Sequence, residues 1–212
     1  GRAGTATPVD AAPNFGHRCL SGKHVDCGCD YGPDDAYVGD ELMHTQAELC
    51  AALVTEVKRR VLGESVPRIK KCLARLTDDE IWQRPNAHTV SIGNLVLHLC
   101  GNARQWILGG LAGAPDVRHR QSEFDECGPI AADVLVQMLD DVMVGVARAL
   151  ENVTPEQLGE THRVQGFDET GTAILVHVTE HFSYHVGQIT YAVKSRKAVD
   201  MGYYEGVDLS RT

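Results

Sequence analysis

Apolar residues recur every three or four positions along most of this chain. Leu49, Leu53, Val57 and Val61 form one such line, and Val66, Ile69, Leu73 and Leu76 continue it, displaced across Gly63 and Pro67. A helical period with a glycine and a proline inside it predicts one long helix, kinked or interrupted at that pair. Thr77-Asp78-Asp79-Glu80 has the form of a capping box and predicts a short helix through Trp82, stopped by Pro85. A second long helix is expected from Ser91, as N-cap, to about Leu111, with Ile92, Leu95, Leu99 and Trp106 on its apolar face and Gly109, Gly110 and Gly113 at its end. Residues 114–129 read as a polar loop. A third helix spans about 130–152 on the line Ile130, Val134, Met138, Val142, Val146 and Leu150. Thr154-Pro155-Glu156-Gln157 opens another short helix. Residues 161–170 read as a loop with room for an extended piece, and a fourth long helix runs from about Thr172 to Lys197.

Four long amphipathic helices joined by moderate loops imply an all-α protein, a four-helix bundle. No hairpin is evident, and there is no internal repeat of about 20–50 residues. Residues 1–42 differ: they are rich in Gly, Pro and Asp, show neither period, and read as an irregular or disordered tail before a bundle domain spanning 43–212. The tail holds Cys19, His24, Cys27 and Cys29, whose spacing is not that of paired CxxC hooks. Because regular patterning begins at Met43, translation starting there is the alternative account of the tail.

The chain has 212 residues, 43% of them hydrophobic, enough for one well-buried core. Its net charge of −9 with no basic block argues against nucleic acid as a partner. No apolar run is long enough for a bilayer, and the first thirty or so residues lack the layout of a signal peptide. Cys50, Cys72, Cys100 and Cys127 are dispersed, as expected for mostly buried, reduced thiols of a cytoplasmic protein.

Candidate chemistry concentrates in VHVTEHFSYHVGQITYAV, residues 176–193, where His177, His181 and His185 follow one another at intervals of four. Side chains four apart on a helix are neighbours, roughly 5–6 Å between Cβ atoms. The apolar line of this helix is Ile174, Val178, His181, His185, Ile189 and Ala192, so two histidines point into the bundle while His177 lies nearer its edge. Two adjacent buried imidazoles are costly unless an ion or hydrogen bonds use their lone pairs. A pair of satisfied core histidines is therefore the competing reading. A metal needs a further ligand from a facing helix, and His98 in SIGNLVLHLCGNARQWI is the candidate. The remaining histidines are expected to face solvent. The zinc-protease signature is absent, since Phe182 follows His181 where that chemistry needs Glu.

Several neighbours are weighed with the cluster. Asn102 and Gln105 follow His98 by one and two turns and suit a pocket mouth; Arg104 suits an acidic substrate or solvent. Tyr184 suits a proton donor if it turns inward. Trp82 and Trp106 are expected in the core. Cys100 points away from His98 around the helix and reads as structural.

SIGNLVLHLCGNARQWI, followed by HVTEHFSYHVGQI and accompanied by SVPRIKKCL and a QGF turn, resembles the DinB/YfiT-like superfamily of metal-dependent enzymes, in an uncharacterised bacterial branch. The resemblance covers residues 43 to about 205. It implies an up-down-down-up-type bundle, often a homodimer, with a divalent ion held by three histidines, here His98, His181 and His185. His177 has no ligand role in that pattern and is expected beside the ligands or at the substrate. Gln188 matches the motif's Gln and is expected to support a ligand or pack. The resemblance further implies a small-molecule substrate, with zinc or nickel favoured and iron or manganese next. It includes S-transferases using low-molecular-weight thiols such as bacillithiol or mycothiol, and a thiol-dependent maleylpyruvate isomerase. A three-histidine site with open positions also suits hydrolysis of a small molecule. The reading from a different class is a non-catalytic bundle whose ion is structural or whose histidines bind a small ligand.

Overall fold

The computed structural model describes residues 35–211, with side chains from residue 45 onward. The tail cysteines and His24 lie outside the described residues. The first long helix comprises α1 (Asp35–Lys58), a π-helical segment (Arg59–Ser65) and α2 (Val66–Leu73). The interruption expected at Gly63 and Pro67 is a widening rather than a break. Pro67 has no N–H for the carbonyl of Gly63, and the ladder shifts so that the N–H of Val66 reaches the carbonyl of Val61. Two expectations need correction here. Leu49 is 70% exposed, and the described buried face instead runs through Cys50, Val57 and Val61. In addition, residues 35–42 are already helical, within the stretch read as irregular.

α3 (Asp78–Trp82) carries the expected capping box between Thr77 and Glu80. α4 (Ile92–Ala103) and the π-helical segment Arg104–Leu111 form the second long helix, ending where expected. Its start is closed by Ser91 and Asn94: Ser91 Oγ accepts from Asn94 N, and Asn94 Oδ1 accepts from Ser91 N, both at 3.0 Å. α5 (Arg120–Asp125) is a short helix inside the segment read as a loop. α6 (Ala132–Glu151) buries Leu135, Leu139, Val142, Val146 and Leu150, while Val134 is 48% exposed. The expected line was thus one position off at its start, because adjacent Val134 and Leu135 fit the period equally and packing decides between them.

α7 (Pro155–Gly159) leads into β1 (Thr161–Val164) and β2 (Phe167–Thr170), an antiparallel hairpin with Val164 opposite Phe167. This corrects the expectation of no hairpin. Gln165 and Gly166 both have positive φ, 51° and 86°, as a two-residue turn requires. Gln at the first position, where Asn or Asp is usual, conceals the signal. α8 (Gly171–Lys197) ends at Ala198, itself at φ 51°.

The first and second long helices each lie against α6 and α8, which gives the four-helix bundle. Phe182, Leu99, Ile107, Leu139 and Ile174 are fully buried between them. Trp82 and Trp106 are buried as expected. No described helix is long and apolar enough to cross a membrane.

Candidate metal centre

The spacing of α8 presents a column of imidazoles toward α4. His185 is buried at 9% exposure, His98 on α4 at 4%, and His181 between them is half-buried. Each of the three offers one ligand nitrogen, and these nitrogens lie within 4.8 Å of one another. His98 Nε2 and His181 Nε2 are 2.9 Å apart. Nitrogens bound to one tetrahedral ion at about 2.0–2.1 Å lie about 3.3–3.4 Å apart, within reach of small ring rotations. Burial lowers the pKa of His181 to about 3, helped by His185, His98 and His177 nearby. Burial also lowers that of His185, against the raising effect of its bond to Gln188. These rings are therefore neutral at ordinary pH, the form that ligates a metal. His185 Nδ1–H donates to Gln188 Oε1 at 2.7 Å, leaving Nε2 free to face the cluster. The three-histidine group can hold a divalent ion, and no carboxylate or thiol joins it among the described residues.

The family profile for a protein of unknown function, DUF1572, matches residues 50–204. The chain belongs to the DUF1572 family. This is a DinB-like family, within the DinB/YfiT-like superfamily. No curated protein matches the sequence. A DinB-like protein from Bacillus cereus superposes with TM-score 0.53 at 18% identity, covering 66% of this chain and 91% of that one. A conserved protein from Enterococcus faecalis gives 0.53 at 16%, covering 72% and 98%. A DinB-like protein from Bacillus subtilis gives 0.52 at 19%, covering 70% and 94%. Likeness at this identity establishes the fold.

In this DUF1572 protein the layer next to the cluster is built from Asn102, Trp106 and His177. The ring of His177 stacks on Trp106 at 3.8 Å between centroids, and Asn102 Nδ2 donates to His177 Nε2 at 3.2 Å. Asn102 Oδ1 is buried with no hydrogen-bond partner. Burial lowers the pKa of His177, countered in part by Glu180 and Glu169. Trp106 is held by Gln165 of the hairpin, its indole N–H donating to Oε1 at 3.0 Å.

Tyr184 does not turn inward. It is 62% exposed and meets His185 only edge-on, with centroids 5.0 Å apart. Gln105 is tied to Asp116 and Arg118, and Arg104 is exposed. The Cys100 thiol is pushed up to about 12 by burial, which fits its structural reading.

Two residues in contact with the cluster were missed from the sequence. Glu123 Oε2 lies 2.9 Å from His98 Nδ1, and Arg118 grips that carboxylate through Nε at 2.7 Å and Nη2 at 2.8 Å. Both side chains are about as buried as His98 itself. Burial raises the carboxyl's pKa, but the bonds from Arg118 and His98 outweigh it and the net shift is downward. The segment bearing Glu123 is pinned to α4 and α3. Asn94 Nδ2 donates to the carbonyls of Glu123 (2.9 Å) and Glu126 (2.8 Å), and Trp82 Nε1 donates to that of Ile130 (3.0 Å). Gly101 makes room, since a Cβ there would overlap the Glu123 carboxylate. The signal in the sequence was slight: a six-residue helix with no apolar period.

Proposed function

We propose that this DUF1572 protein is a metal-dependent enzyme acting on a small molecule, by thiol transfer or hydrolysis, at a divalent ion held by His98, His181 and His185. The observation that carries this reading is the convergence of three imidazoles from two helices, with no fourth ligand among the described residues. A closed structural site takes four protein ligands, whereas a site that works on substrate keeps a position open. The ion would supply Lewis acidity, lowering the pKa of a bound thiol or water. Zinc or nickel suits the imidazole set, and iron or manganese comes next.

The chain's own groups divide the remaining work. Gln188 orients His185 from the far side of its ring. Asn102 and Trp106 fix His177 one turn from His181, placing a further imidazole beside the cluster where it can meet substrate. The partial exposure of His181 supports approach of a small molecule from its side of the cluster. Association into a homodimer and a cytoplasmic setting belong to the same reading; light scattering checks the first.

The test is elemental analysis of untagged protein, wild type beside His98→Ala, His181→Ala and His185→Ala. Near-stoichiometric metal in wild type, lost in each variant with helical content retained, is the expected result and names the ion. Screens with low-molecular-weight thiols and with hydrolysable esters and amides follow. Wild type that carries no metal and binds none of zinc, nickel, iron or manganese when they are added sinks the proposal and leaves the histidines as core packing.

A further inference from the structure

The tautomer of His98 decides whether its inward nitrogen can take part in the cluster at all. A neutral imidazole has one N–H and one lone pair. If Nδ1 carries the proton, it donates to Glu123 Oε2 at 2.9 Å, and the Nε2 lone pair faces His181. If Nε2 carries it, the N–H points into the cluster, and Nδ1 must accept from Arg118 Nη2 at 3.1 Å.

The geometry separates the two. In the second arrangement the Nδ1 lone pair faces a carboxylate oxygen at 2.9 Å, two acceptors pressed together in a buried setting. In the first, one N–H of Arg118 Nη2 is directed to Glu123 Oε2 at the shorter 2.8 Å and the other has the His98 carbonyl at 3.5 Å, so the approach of Nη2 to Nδ1 needs no bond. Arg118 is committed on its other sides as well, to Glu123 Oε1 through Nε and to Gln105 Oε1 through Nη1. A guanidinium cannot lose its proton, so the oxygens it grips stay acceptors.

We propose that Glu123, held by Arg118, is a positioning residue that locks His98 as the Nδ1–H tautomer and so presents the Nε2 lone pair to the cluster. His181 is then the donor in the 2.9 Å contact between the two Nε2 atoms. The role for metal loading rests on the three-histidine reading above, but the tautomer assignment does not depend on any ion. It also goes beyond the three ligands, because it makes a residue outside the histidine motif control one of them. Carboxylate partners of this kind typically alter metal affinity about 10–100-fold when removed.

Glu123→Gln is the informative variant. An amide has one acceptor oxygen, which the Arg118 charge claims, so its NH₂ turns to Nδ1 and forces the Nε2–H tautomer. Gly101→Ala displaces the carboxylate while leaving Glu123 in place, and gives an independent perturbation.

The experiment is long-range ¹H–¹⁵N correlation NMR on metal-free, histidine-labelled protein, with His98 signals assigned by their loss in His98→Ala. Zinc and nickel affinities are measured on the same samples, and circular dichroism confirms the fold. The expected result is Nδ1–H in wild type, Nε2–H in Glu123→Gln, and affinity reduced about 10–100-fold in both variants. Wild-type His98 found as Nε2–H overturns the proposal whether or not metal binds. So does a Glu123→Gln protein with unchanged tautomer and affinity within about twofold. Wild type that binds no metal, yet shows the Nδ1–H form switched by Glu123→Gln, would instead sink the metal reading and leave the tautomer lock standing.

Discussion

The two sides of the histidine cluster are supported in opposite ways. On α8, His185 is oriented by Gln188, three residues further along the same helix. On α4, His98 is met by Glu123, twenty-five positions away on a short helix that arrives from a long connection. The first support is local: a regular helix brings the partner into reach, and Gln188 remains exposed. The second is tertiary: it needs Asn94, Trp82, Arg118 and a glycine at 101 before the carboxylate can stand where it does. A local support is inexpensive to lose. A tertiary one is tied to the stability of the whole segment.

The largest separation of the two sides should come from Glu123→Ala. It leaves the buried Arg118 guanidinium without its partner, and breaking such a pair costs about 3–5 kcal/mol. The urea midpoint should fall accordingly, and an unchanged midpoint would show that the pair does not hold the segment. Acidity perturbs the α8 side next. His177, His181 and His185 all have pKa values lowered by burial, His181 to about 3. Below an unfolded value of about 6.5 the unfolded chain binds protons that the folded chain refuses, so stability falls as pH drops from 6.5 toward 3. In metal-free protein the urea midpoint should decline between pH 7 and pH 5, before the carboxylates titrate. The decline should be shallower in His181→Gln; equal slopes would discount the burial argument.

Asn94→Ala tests how the α4 side is attached. It removes one member of the capping box and leaves the carbonyls of Glu123 and Glu126 short of a donor, a loss of about 1–3 kcal/mol. Thermal unfolding reads that loss, and the His98 tautomer should become mixed as Glu123 loosens. The smallest effect belongs to Gln188→Ala. Its stability cost is about 0.5 kcal/mol, at the low end for a hydrogen bond because the residue is exposed. Its effect on zinc affinity is about tenfold. A stability loss as large as that of Glu123→Ala would erase the contrast between the two sides.

The legibility of the site follows the same division. His181 and His185 were readable because a 3.6-residue period is a property of the local chain, and two histidines inside an apolar stripe are conspicuous. Gln188 came from the family motif that the chain resembles, not from the period. His98 needed one further step, the inference that a facing helix supplies the next ligand. Glu123 and Arg118 were not readable, since no period marks a six-residue helix or the loop before it, and their partner is remote. Tyr184 was left open for a related reason: proximity in sequence to two ligands does not fix which way a side chain turns.

By itself the sequence determined an all-α bundle, the capped starts of α3, α4 and α7, and the column of histidines on α8, because each depends on contacts within a few residues. Tertiary structure decided the register of α6, the hairpin behind Gln165-Gly166, the pairing of His98 with α8, and the carboxylate behind His98. Those features exist only when distant segments pack. Burial then turns a single hydrogen bond or a single misplaced methyl group into a deciding energy, and no local pattern records it.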